Sequence, residues 1–162
     1  MKMKRYALAI LMAWIIFIGV DFLFHASIFA SLWKEEIAIF KSLENLSLLI
    51  PVGYVSFLLL TILIGYLFFR IFSTKPPIKD TLEFALIFGI LFSLSNLLGL
   101  FSFIAIPLKH LLLINLIYFI EIIFVTLCLH FIAFSINLKR SIWLTVFAFF
   151  ILIITGFVIQ NV

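Results

Sequence analysis

Charge is what this sequence has least of. Only 11% of its 162 residues are Asp, Glu, Lys or Arg, against about 25% in a soluble domain, and a water-soluble globule is thereby excluded. Cysteine is scarcer still. Cys128 stands alone inside an apolar run, so an intramolecular disulfide is excluded and cysteine pairing reports nothing about the compartment. Signatures of chemistry are missing as well. No glycine-rich loop is present to cradle a phosphate. Ser27, Ser31, Ser93 and Ser95 lack the Gly-x-Ser-x-Gly setting of a nucleophile. An enzyme therefore has no specific support in the sequence, and no cofactor is expected apart from a divalent metal at the residues discussed below.

Apolar residues are what the chain has in abundance. They make up 67% of it, 22 of them phenylalanine, and the mean hydropathy is +1.41. So small a chain has too little interior to hide that surface, so most of it must face lipid. Five stretches reach the roughly 20 residues a helix needs to cross a bilayer: Tyr6 to Leu32, Leu49 to Phe72, Leu82 to Ala105, Leu111 to Phe134 and Ser141 to Gln160. Short links at Ile106 to His110 and Ser135 to Arg140 leave room only for a reversal, so neighbours should pack antiparallel. The expected architecture is all-α, a single five-helix integral membrane bundle over residues 1–162.

Punctuation and charge refine this picture. Pro51 should fall in the first turn of the second span, and Pro107 should end the third. Asp80 with Glu83 resembles a capping box at the start of the third span. Residues 34–47 place Ile37, Phe40, Leu43 and Leu46 on one face, the pattern of an amphipathic connector lying on the membrane. Lys2, Lys4, Arg5, Arg70, Lys75, Lys79, Lys139 and Arg140 share one side of the five-span arrangement, while Lys34, Lys41 and Lys109 share the other. That asymmetry predicts a cytoplasmic N-terminus, and in this setting basic residues report orientation rather than nucleic acid. The N-terminal run also has the dimensions of a secretory signal peptide. An uncleaved span is preferred because apolar character resumes from Phe22 to Trp33.

Ionisable groups inside the hydrocarbon are the informative ones, since each costs about 2.5–3.5 kcal/mol at a span centre. Asp21 and His25 lie four residues apart on one face of the first span, and Glu121 lies in the fourth. Asp21 falls roughly 22 Å from the inner end of its helix and Glu121 roughly 15 Å from the outer end of its own, depths that permit contact. Asn96 in the third span and Tyr118 one turn before Glu121 are candidate hydrogen-bond partners. Ala85, Gly89 and Ser93, extended by Gly99, form a small-residue stripe that favours close helix packing. His130 falls on the opposite face from Glu121 and reads as interfacial.

Of three readings of the cluster Asp21, His25, Asn96, Tyr118 and Glu121, the first is the one the sequence leads us to expect and the other two are its alternatives. The first is a satisfied polar network that fixes helix register in a non-enzymatic accessory or assembly protein. The second is a proton or divalent metal site, with Asp21, His25 and Glu121 as ligands, in a small transporter, channel or sensor. The third, an intramembrane metal-dependent enzyme, needs a water-accessible cavity. The bilayer is the expected partner; a homo-oligomer or a place in a larger membrane complex fits the apolar surface equally well.

Asp21-Phe22-Leu23-Phe24-His25, then Leu32-Trp33-Lys34, and later Tyr118-Phe119-Ile120-Glu121 resemble a loose group of uncharacterised small bacterial multi-pass membrane proteins. That group has Asp-x-x-x-His in the first span and Tyr-x-x-Glu in the fourth. This sequence departs from it at Ala26, where the group has a glycine, and at Glu35, where it has a proline. The resemblance implies a bacterial inner-membrane location and groups Asp21, His25 and Glu121 together. It implies no activity.

Overall fold

A chain surrounded by hydrocarbon has no water to satisfy its N–H and C=O groups, so each apolar run must close its own hydrogen bonds as a helix. In a computed structural model, which describes residues 2–33 and 43–161, this is what the runs do. Helix α1 (Lys2–Asp21) passes into a π-helical segment (Phe22–Ile28) and a single turn, α2 (Ala30–Trp33). Helices α3 (Leu43–Ile71), α4 (Ile78–Phe103), α5 (Leu108–Ala133) and α6 (Leu138–Gln160) follow. Met3–Ile28, Leu48–Ile71, Ile78–Phe103, Leu108–Ala133 and Leu138–Gln160 are each long and apolar enough to cross a membrane. There is no strand among the described residues.

Aromatic stacking and close approaches set the order of the helices. Tyr6 stacks on Phe69 with ring centroids 4.0 Å apart, and Phe17 on Phe57 at 4.4 Å, so α1 and α3 are antiparallel. Arg5 near the start of α1 donates to the carbonyls of Ile132 and Ser135 at the end of α5. This satisfies acceptors that a helix C-terminus otherwise leaves open and makes α1 and α5 antiparallel too. Gly19 faces Phe149 and Leu152, and Phe22 meets Phe157 with centroids 5.1 Å apart, so α6 runs parallel to α1. Helix α4 packs antiparallel along α5 through Thr81 with His130, Gly89 against Phe119 and Ile122, and Asn96 with Asn115.

The core lies where α1, α3 and α5 face one another, at Ala9, Ala13, Phe17, Ile64, Phe68, Val125 and Leu129, all fully buried. Alanines on α1 let α5 approach, and the phenylalanines fill the space on the α3 side. Helix α6 keeps Phe147, Phe150, Ile154 and Phe157 exposed, the surface expected of a helix facing acyl chains.

Several expectations need correction. Helix α4 begins at Ile78 after Pro77, and no side chain caps it; Asp80 sits in its first turn instead of forming a capping box with Glu83. Pro51 lies inside α3, which already begins at Leu43. A proline is tolerated there because membrane helices can satisfy the freed carbonyl from neighbouring groups. Of the expected amphipathic connector, residues 34–42 lie outside the described residues and 43–47 continue into α3. His130, in the last turn of α5, is buried against α4: its Nδ1 lies 2.8 Å from Thr81 Oγ1.

Candidate intramembrane cation site

Glu121 sits near the middle of α5, about 20 Å from one end and about 18 Å from the other at 1.5 Å per residue. It is 0% exposed, between buried Ile117, Ile122 and Val125 on its own helix. Neither of its carboxylate oxygens has a hydrogen-bond partner among the described residues. Leaving a buried acidic group unsatisfied costs several kcal/mol, so a protein that keeps one normally has a use for it.

The groups facing Glu121 come from the end of α1. Asp21 is the last α-helical residue, and His25 lies one turn on, inside the π-helical segment. The imidazole Nδ1 and Asp21 Oδ1 are 2.6 Å apart, and the two side chains are 25% and 19% exposed respectively. One ligand-type atom from each of Asp21, His25 and Glu121 lies within 4.8 Å of the others. The three residues singled out in the sequence therefore meet in one place, partly open on the α1 side and closed on the α5 side.

A local packing constraint accompanies the wide turn that carries His25. A Cβ on Gly156 of α6 would lie 2.7 Å from the Phe22 ring and 2.7 Å from Ser27 Oγ. Only glycine admits α6 this close. The Ser27 hydroxyl donates to the Phe22 carbonyl at 3.2 Å, and the Phe29 N–H reaches back five residues to Phe24 O at 2.9 Å. Single-turn π segments inside α-helices frequently mark functional sites.

The remaining predicted members divide. Asn96 does not reach Glu121 or Asp21: its Nδ2 donates to Asn115 Oδ1 at 2.9 Å, while Asn115 Nδ2 donates to the Leu111 carbonyl at 2.7 Å. The pair ties α4 to α5, and the bond given for the Asn96 amide is to Asn115 and not to a carboxylate. Tyr118 packs edge-on against Phe92, centroids 5.8 Å apart, and lies within electrostatic reach of both Glu121 and Asp21. It also lines a cavity of about 410 Å³ bounded by α3, α4 and α5, with Ser56, Phe57 and Asn96 on its walls. In the small-residue stripe, Ala85 and Ser93 are buried and a Cβ on Gly89 would lie 2.9 Å from Phe119. Gly99 breaks the pattern. It is exposed with nothing within 4 Å of its Cβ position, because it is turned about 60° around α4 from Asn96.

Four residues had not been singled out for this region: Asn115, Ser27, Gly156 and Tyr54. Asn115 and Asn96 share the polarity that marks a cross-helix partner in an apolar run, a signal present in the sequence. Gly156 and Ser27 gave no such signal, because their role depends on which helix faces the π segment. The Tyr54 carbonyl accepts from Trp14 Nε1 at 2.9 Å, which satisfies the one indole lying deep in α1.

An imidazole and two carboxylates form a ligand set for Zn or for harder divalent ions such as Mn and Fe. They equally form a set of proton-accepting groups. Comparisons with protein-family models, with curated proteins and with solved structures give no match. Fold and composition define the class: this is a multi-pass integral membrane protein, with five helices among the described residues long and apolar enough to cross a membrane.

Proposed function

We propose that this is a small cation-binding membrane protein, a transporter or sensor, whose site is Asp21, His25 and Glu121 holding a divalent transition-metal ion. The observation that carries the reading is Glu121: a carboxylate fully buried at mid-helix, with neither oxygen hydrogen-bonded among the described residues, facing a carboxylate and an imidazole. A packing network should satisfy all its members, since half-satisfied networks are costlier than apolar cores. This cluster instead carries two carboxylates against one imidazole, and a divalent cation corrects that balance. In a tetrahedral site with bonds near 2.0–2.1 Å the ligand atoms sit about 3.3 Å apart, so atoms already within 4.8 Å need only side-chain adjustments.

The basic end of the bundle, with Arg5, Lys75, Lys79 and Arg140, is assigned to the cytoplasm by the excess of Lys and Arg there. A bacterial inner membrane is the setting this implies together with the resemblance noted above.

The 2.6 Å contact between His25 and Asp21 favours a second reading, a proton in place of the metal. Calorimetric titration of the purified protein with Zn²⁺ and Mn²⁺ separates the two. One ion per chain bound by the wild type, and loss of binding in Glu121→Gln, is the expected result. No ion bound by the wild type, with proton flux into liposomes abolished by the same substitution, assigns the site to protons.

A further inference from the structure

A second site lies at the C-terminal end of α5, about 18 Å along that helix from Glu121, and does not depend on the cation cluster. Where α5 turns into α6 a cavity of about 340 Å³ opens between the end of one helix and the start of the other. Lys75 and Arg140, both exposed, stand on its walls with the hydroxyl-bearing Ser135 and Ser141. No acidic residue lines it among the described residues. The wall next to these polar groups is apolar, with Phe131 and Leu144, which are 58% and 57% exposed and so continue from the cavity onto the lipid-facing surface.

The polar part is built and held in place. Arg5 reaches across from α1 to the Ser135 carbonyl, Ser141 Oγ donates to Ser135 Oγ at 2.6 Å, and Asn137 Oδ1 accepts from the Arg140 N–H at 3.0 Å. The start of α6 adds the positive end of its dipole in the same direction. Two cations, the Ser135 hydroxyl and a helix N-terminus border a space with no negative group among the described residues, so the complementary ligand is a phosphate.

We infer that this cavity binds the phosphate of an anionic membrane phospholipid, with the acyl chain lying along Phe131 and Leu144. Position selects the lipid over free phosphate. The cavity lies where two spans end, the depth of lipid headgroups, and Trp143, 63% exposed on the first turns of α6, has the placement of an interfacial anchor. Basic pockets between transmembrane helices are suited to such headgroups.

Native mass spectrometry of the full chain, delipidated in detergent and offered phosphatidylglycerol or phosphatidylcholine, tests the inference. The wild type should retain phosphatidylglycerol in preference. Each cation near an anionic headgroup contributes about fivefold, so Lys75→Gln with Arg140→Gln should weaken that binding by about 30-fold. Lys75→Arg with Arg140→Lys should restore it, and Glu121→Gln should leave it unchanged. Equal retention of the two lipids, or an unaltered preference in the double Gln variant, overturns the site. Displacement of phosphatidylglycerol by millimolar inorganic phosphate overturns the lipid as its occupant.

Discussion

At the scale of single residues, the account turns on what a buried carboxylate does when nothing nearby bonds to it. Glu121→Gln keeps the shape and removes the charge. If the carboxylate exists to hold a cation, metal should stabilise the wild type and not the variant. At a free metal concentration of about 100 Kd the linkage contributes about 2.7 kcal/mol, visible as a rise in the unfolding midpoint that chelation reverses. Without metal the Gln variant should be about as stable as the wild type, since the substitution keeps the volume and breaks no hydrogen bond to either carboxylate oxygen. Thermal unfolding in detergent with Zn²⁺ and with chelator measures both effects; a loss of stability on Glu121→Gln that ignores metal would assign the residue to packing. Asp21, His25 and Glu121 were legible from sequence because a charged group within an apolar run is rare and expensive. The partner of Asn96 was misread: an amide in a span advertises that it needs a partner but not which of several polar groups supplies it, and Asn115 was the nearer one.

Among the elements, the π-helical segment and the α4–α5 seam carry separate predictions. Gly156 lets α6 lie against Phe22 and Ser27, so Gly156→Ala should overpack that contact at a cost of about 1–3 kcal/mol. Because the same segment carries His25, metal affinity should fall together with stability, a coupling that calorimetry on the variant reads directly. The seam should behave otherwise. Thr81 with His130 and Asn96 with Asn115 tie α4 to α5 at two depths, and Thr81→Val or Asn115→Ala should each cost about 0.6 kcal/mol and at most about 1.7, with metal binding unaffected. Equilibrium unfolding in mixed micelles gives the first value and titration the second. Helix limits were readable to within about four residues except at the start of α3, which begins at Leu43, before the expected Leu49 and with Pro51 inside it. The π turn was not, because nothing in Phe22–Ile28 distinguishes a wide turn from an α-helical one until the neighbouring helix is known.

For the molecule as a whole, composition determined the most. Five apolar runs joined by short links admit few arrangements other than an antiparallel bundle, and the bundle is what forms. Which helices occupy the middle was not written in the runs, all of which are similarly apolar. The structure places α1 and α5 there, the two that carry the ionisable residues, so the polar groups lie inside the bundle and away from lipid. The proposed orientation, with the basic end inside, predicts that a membrane-impermeant thiol reagent applied to intact cells labels Lys109→Cys and spares Lys79→Cys, both at exposed positions. Labelling in the reverse order would invert the topology without disturbing the bundle.

X-ray absorption at the edge of a bound Zn²⁺ or Mn²⁺ tests the cation site most directly, because it reports which atoms surround the ion. The site predicts a first shell of one imidazole nitrogen with carboxylate oxygens near 2.0–2.2 Å and no sulfur, and loss of the bound ion in Glu121→Gln. A first shell without imidazole scattering, or one identical in the wild type and Glu121→Gln, would contradict it.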